Sequence, residues 1–264
     1  MILETTHSCP LFIGWDVGGW NCDRNANSRD ALVVLDSKRN ILGQPWRGNL
    51  RKVINEAGDT REWIRALLEC CQLEVPDNSV TATLAIDTPL GFSQAFRQLI
   101  AGDGVAGPVG ASADNPYLFR HTERMLFQRG LTPLSPVKDM IGSQATKGMH
   151  ALARFAPENP ATGVWTSGNT LTAIEAYPAA CKPSALVRKL LQPYRNAVAN
   201  TQADTWHTTG YRFGINHEDK RDALLCALVA WLYHFQPEAL YQPDEATPAA
   251  EGWIFAPRDA LTGS

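Results

Sequence analysis

The chain has 264 residues, is 44% hydrophobic and carries a formal charge of -3. A length of this order holds one large domain or two small ones, with a core that needs no disulfide or metal to stabilise it. The slight acidity excludes the broad basic face with which proteins usually grip long nucleic acid, so any such contact rests on a local patch.

Six cysteines (Cys9, Cys22, Cys70, Cys71, Cys181 and Cys226) show neither CxxC nor zinc-ligand spacing. The first residues, MILETTHSCPLFIGWD, have no basic leader region and no long apolar stretch, so no signal peptide is expected. The longest apolar run, LLCALVAWLY, is too short to span a bilayer, which takes about 20 residues. The expectation is a reduced, soluble, cytoplasmic protein.

In chain order, LFIGWDV (11–17) is an apolar run ending in an acid before Gly18–Gly19, the pattern of a buried strand opening into a loop. ALVVLD (31–36) and ILGQPW (41–46) follow across short connections and predict an antiparallel meander. TREWIRALLECCQL (60–73) has helical spacing of Trp63, Ile64, Leu67, Leu68 and Cys71, with Thr60 as N-cap. After the turn VPDNS, VTATLAIDTPL (80–90) is a second strand ending in an acid. Residues 102–116 are rich in Gly, Pro, Ala and Asn and predict a loop over the site or an insertion.

The stretch 117–158 reads as helix broken at TPLSP, and LTAIEAYP (171–178) as a third acid-terminated strand. A helix is expected at 183–192, a weak pattern covers 195–215, and HEDKRDALLCALVAWLYHF (217–235) reads as an amphipathic helix. EGWIFAP is a short apolar return near the end. A meander leading into βα units predicts an α/β mixed sheet flanked by helices, as one domain over 1–264 with a loop and helical insertion around 92–168.

Ligands of open α/β sheets settle at the carboxyl ends of strands, where Asp16, Asp87 and Glu175 fall. Acids gathered there repel one another unless a cation neutralises them, and Mg2+ or Mn2+ is the expected partner. Asp219 and Asp222, three apart on the last helix, share a face that would complete the cluster. Two ions about 3.5–4 Å apart would then hold an attacking water and a leaving oxygen on one phosphorus. Simpler readings stand beside these. Asp16 is also a turn acid before two glycines, Asp87 an Asx-turn residue, Glu175 a partner for a nearby Arg or Lys, and Asp219 a first-turn acid favoured by the helix dipole.

Taken in order, FIGWDVGGW, AIDTPLGFS, IEAYP, DKRDALLCALVAW and EGWIFAP resemble the RNase H-like nucleases predicted in domain of unknown function family 429, over roughly residues 11–257. The resemblance implies an RNase H-like fold and a metal-dependent nuclease in which Asp16, Asp87 and Asp222 are the catalytic carboxylates. Glu175 corresponds to the acid of the family's E-x-H-P, with Tyr177 standing where the pattern has His. Asp219 matches an upstream acid of the helix motif.

Arg120 and Arg124, around His121, read either as a solvated helix face with an Arg–Glu123 pair or as phosphate-binding groups facing the site. Lys138, Ser143, Gln144 and Lys147 suggest a phosphate grip near a helix N-terminus. A second basic stretch (Lys182, Arg188, Lys189, Arg195) matches a solvated helix face. Trp15, Trp20, Trp46 and Trp165 suit base stacking or the core, and His150, His207 and His234 lack ligand spacing. The leading expectation is a nuclease acting on DNA or RNA. Its rivals are an actin-like ATP-dependent phosphotransferase, because DVGG resembles a phosphate-cradling turn, and a non-catalytic nucleic-acid-binding module on the same scaffold.

Overall fold

The structure, a computed structural model, describes residues 10–74, 80–104, 106–196 and 206–261. Residues 1–9 with Cys9, the VPDNS turn and residues 197–205 of the weak 195–215 stretch lie outside them. Strand β1 (Leu11–Asp16) pairs antiparallel with β2 (Asp30–Leu35), which pairs antiparallel with β3 (Ile41–Gly48). On its other side β1 pairs parallel with β4 (Ala82–Asp87), and β4 pairs parallel with β7 (Leu171–Glu175). A hairpin of β5 (Glu158–Ala161) and β6 (Val164–Ser167) then joins β7, giving seven strands in the order β3-β2-β1-β4-β7-β6-β5. The expected α/β mixed sheet with its meander is present. The β5–β6 hairpin was not foreseen, because ENPA and VWTS are short and lie at a solvent-facing edge. Proline falls in both edge strands, Pro45 in β3 and Pro160 in β5, where a missing N–H breaks no internal ladder and discourages pairing with another chain.

Period-two alternation sends the strand side chains into two cores. Phe12, Ala31, Val33, Leu35, Ala85 and Ile174 face α8 (Glu218–Phe235). Ile13, Trp15, Leu32, Leu84, Ile86 and Ala173 face α2 (Thr60–Cys70) and α5 (Gly142–Phe155). The remaining helices are α1 (Arg51–Glu56), α3 (Gln94–Ala101), α4 (His121–Gln128), α6 (Pro178–Cys181) and α7 (Ala185–Leu191).

Helix α8 departs from the amphipathic expectation. Every residue from Ala223 to Leu232 is buried, because the helix lies on the sheet on one side and meets α6 and α7 on another. Its approach depends on Gly14 of β1, where a Cβ would stand 1.9 Å from the carbonyl oxygen of Ala223 and 2.4 Å from the amide nitrogen of Ala227. The N-cap of α2 is Asp59, whose side chain accepts from the Glu62 N–H at 2.9 Å. Thr60, expected as the cap, bonds the Phe155 carbonyl instead.

The expected insertion is only partly one, since Ala151, Leu152 and Phe155 of α5 belong to the α2-side core. None of the described residues in 102–116 borders the cleft that holds Asp16 and Asp87. No described helix is long and apolar enough to cross a membrane, and the five described cysteines are free thiols.

Candidate functional site

Asp16 and Asp87 close two neighbouring parallel strands and are direct register partners. Their Cα atoms are therefore about 4.8 Å apart, with both side chains on one face. That face is fixed by parity: Asp16 follows Phe12 and Gly14, and Asp87 follows Ala85, all towards α8. Both carboxylates border a cleft of about 190 Å³ together with Ser28, Pro133, Gln144 and Tyr177.

Neither carboxylate has a hydrogen-bond or ion-pair partner among the described residues. Burial, and then the charge of Asp87, hold the Asp16 carboxyl well above the usual carboxylate range. Burial, and then Asp222, do the same for Asp87. Asp222, in the second turn of α8, is raised by burial and partly offset by Arg221, whose Nε and Nη2 reach Oδ1 at 2.9 and 2.8 Å. Nothing described binds the second Asp222 oxygen. These three acids repel one another, Asp16 and Asp87 from the lining of the cleft and Asp222 from outside it.

The other expected acids, Glu175, which also borders the cleft, and Asp219, are each held by a cation. Glu175 pairs in register with Ile86, one residue short of Asp87, so its side chain leaves on the opposite face with Ala173. There Arg120 takes it in a fork, Nη1 to Oε2 at 2.8 Å and Nη2 to Oε1 at 2.6 Å, while the Leu90 N–H donates to Oε2 at 2.9 Å. The alternative reading of Glu175 as an Arg partner is the one that fits its geometry. Asp219, whose charge also raises Asp16, is likewise held: its Oδ2 accepts from Arg47 Nε at 2.7 Å and from the Arg29 N–H at 2.9 Å, tying α8 to the ends of β2 and β3.

Two expected phosphate-binding cations are also committed. Arg120 is 1% exposed and bound to Glu123, Glu175 and the Glu251 carbonyl, so its ion pair with Glu123 is a buried node and not a solvated face. Lys147 is fully buried against Asp30, with Gly18 and Gly19 carbonyls at 3.3 and 3.4 Å. It pins the turn that follows Asp16. Arg124 and Lys138 line a different, larger cleft.

Sequence reasoning missed Asp30, which is wholly buried and accepts from Trp15 Nε1 at 3.0 Å, the Gly18 N–H at 2.9 Å and the Leu50 N–H at 2.6 Å. It also missed Glu251, whose carboxylate accepts from the N–H groups of Gln94 and His121 at 2.7 and 2.6 Å. The available signal was an acid at the very start of the run DALVVL, where a solvated turn residue and a buried strand residue read alike.

Among the described residues, no three His, Cys, Asp or Glu side chains form a set that by itself wraps an ion. The donor chemistry fits a hard divalent cation of the kind that takes one or two carboxylates and completes its shell with water and substrate oxygens. Comparison of the chain with protein-family models, curated proteins and solved structures gives no match.

Proposed function

We propose that the chain is an RNase H-like, metal-dependent phosphodiesterase acting on nucleic acid. The observation that carries this reading is the side-by-side placement of Asp16 and Asp87 at parallel strand ends, unpaired, in one cleft. Unpaired acids whose pKa values are raised by burial and by neighbouring carboxylates are costly in a folded protein, and such perturbation concentrates at functional sites. The strand order β3-β2-β1-β4-β7, antiparallel for three strands and parallel thereafter, supports the RNase H-like assignment.

In this reading Asp16 and Asp87 would hold Mg2+ or Mn2+, and Asp222 would offer its open oxygen beside them. Bound there, such ions would neutralise phosphate charge and acidify a coordinated water. The chain supplies everything around them. Lys147 and Asp30 fix the Gly18–Gly19 turn beside Asp16, and Arg120 and Glu175 fix Leu90 beyond Asp87. Tyr177, held by its hydroxyl on the Thr132 carbonyl at 2.8 Å, walls the cleft where the resembled family carries His. A fixed hydroxyl donating to a backbone oxygen positions the wall and leaves proton transfer to water.

The test is cleavage of end-labelled DNA and RNA oligonucleotides by the purified full chain with Mn2+. Asp16→Asn and Asp87→Asn should each reduce the rate by orders of magnitude, with circular dichroism unchanged. Cleavage retained by folded Asp87→Asn protein contradicts the proposal.

A further inference from the structure

A second cleft, of about 610 Å³, is lined by Arg124, Lys138, Phe119, Phe127, Gln128 and the single carboxylate Asp114. Two cations against one acid make it locally positive on a chain of charge -3. Lys138 lies over the Phe119 ring at 5.4 Å, and Phe127 meets that ring edge-on at 5.0 Å. Phe127 is 37% exposed, an unusual position for a large apolar ring unless something covers it. Arg124 donates through Nη2 to the Asn115 carbonyl at 3.1 Å, while its Nε is shielded from water and has no partner among the described residues.

The two clefts share one rigid wall. Pro133, Leu134 and Ile141 border the acidic cleft, and Lys138 of the same segment borders the second. Buried Ser135 knots this segment: its Oγ donates to the Leu118 carbonyl and accepts from the N–H groups of Val137 and Lys138, both at 3.1 Å. Ile141 lies three positions beyond Lys138, so at most ~11 Å of backbone lies between the borders of the clefts.

We infer that this second cleft is a binding subsite for single-stranded nucleic acid, in which Arg124 and Lys138 take backbone phosphates and Phe127 stacks on an unpaired base. The inference rests on the phosphodiesterase reading for its geometry: a strand whose scissile phosphate sits at Asp16 and Asp87 continues over the Ser135 wall into the positive cleft. A stacking ring requires an unstacked base, and two cations do not make the broad positive face that a duplex requires. The strand is therefore single.

The experiment is fluorescence anisotropy of a labelled single-stranded 12-nucleotide probe on the full chain in EDTA, so that neither metal nor cleavage enters the reading. Arg124→Gln combined with Lys138→Gln should flatten the slope of log affinity against log salt by about 1.4, at about 0.7 for each phosphate lost from a single strand. Phe127→Ala should weaken binding about tenfold with the salt slope unchanged. Lys52→Gln, on exposed α1, should leave both quantities as in the wild type, and a duplex of the same sequence should bind more weakly. Unchanged affinity and slope in the folded variants overturn the inference, as does a wild type that binds the duplex as tightly or fails to bind the single strand. Loss of metal-dependent cleavage with these binding effects intact would overturn the phosphodiesterase reading and leave the subsite standing. Cleavage that depends on Asp87, together with binding indifferent to all three substitutions, would do the reverse.

Discussion

Asp16 and Asp87 carry charges that no described side chain answers, whereas Asp30, Glu123, Glu175, Asp219 and Glu251 are each held by a cation or by backbone N–H groups. That contrast sets the pH dependence of the metal-free protein. Both acids have folded pKa values above their unfolded ones, so ionisation costs the folded state more than the unfolded chain. Stability in EDTA should fall as the pH rises from about 4 through the raised values, then level off. Asp16→Asn removes one of the charges and should lie above the wild type at neutral pH, the gap closing near pH 4. Chemical melts across that range check this; an Asp16→Asn protein less stable than wild type at pH 7 and pH 4 alike contradicts it.

The buried Lys147–Asp30 pair behaves differently, because removing one partner strands the other charge. Lys147→Met should cost about 3–5 kcal/mol, and adding Asp30→Asn should recover part of it. Denaturant titration of the single and double variants measures both.

At the scale of elements, α8 owes its place to an absent side chain. Gly14→Ala puts a methyl group onto backbone atoms of α8, which cannot rotate away. The variant should lose roughly 3 kcal/mol, the upper end of ordinary overpacking, and α8 should carry Asp222 away from Asp16. Denaturant melts give the first quantity and a weakened Mn2+ response gives the second. A Gly14→Ala protein of wild-type stability would show that α8 sits farther from β1 than described.

Elements of this kind explain which parts of the site were legible beforehand. Asp16 and Asp87 were readable because each ends a largely apolar strand. Glu175 ends an equally apolar strand in LTAIE, but β7 is offset so that its acid meets Ile86 and not Asp87. A one-residue offset flips the face, and nothing within the strand itself states the offset. The bonds of Arg120 to Glu175 and of Lys147 to Asp30 were not legible because those partners lie 55 and 117 residues away in sequence.

For the whole molecule, the sheet separates two tasks. One face, towards α2 and α5, carries the buried ionic nodes that fix the turns after β1 and β4, and the other, towards α8, presents the open acids. The order of strands followed from hydrophobic runs and short connections, which is why the meander and the βα units were expected correctly. The β5–β6 edge was invisible because an exposed hairpin of ENPA and VWTS buries too little to leave a pattern. Titration calorimetry of Mn2+ into the metal-free full chain at neutral pH tests the pairing of Asp16 with Asp87 most directly. The account predicts saturable binding that disappears in Asp16→Asn and in Asp87→Asn and survives Glu175→Gln in a folded protein; Mn2+ binding unaffected by either aspartate substitution would contradict it.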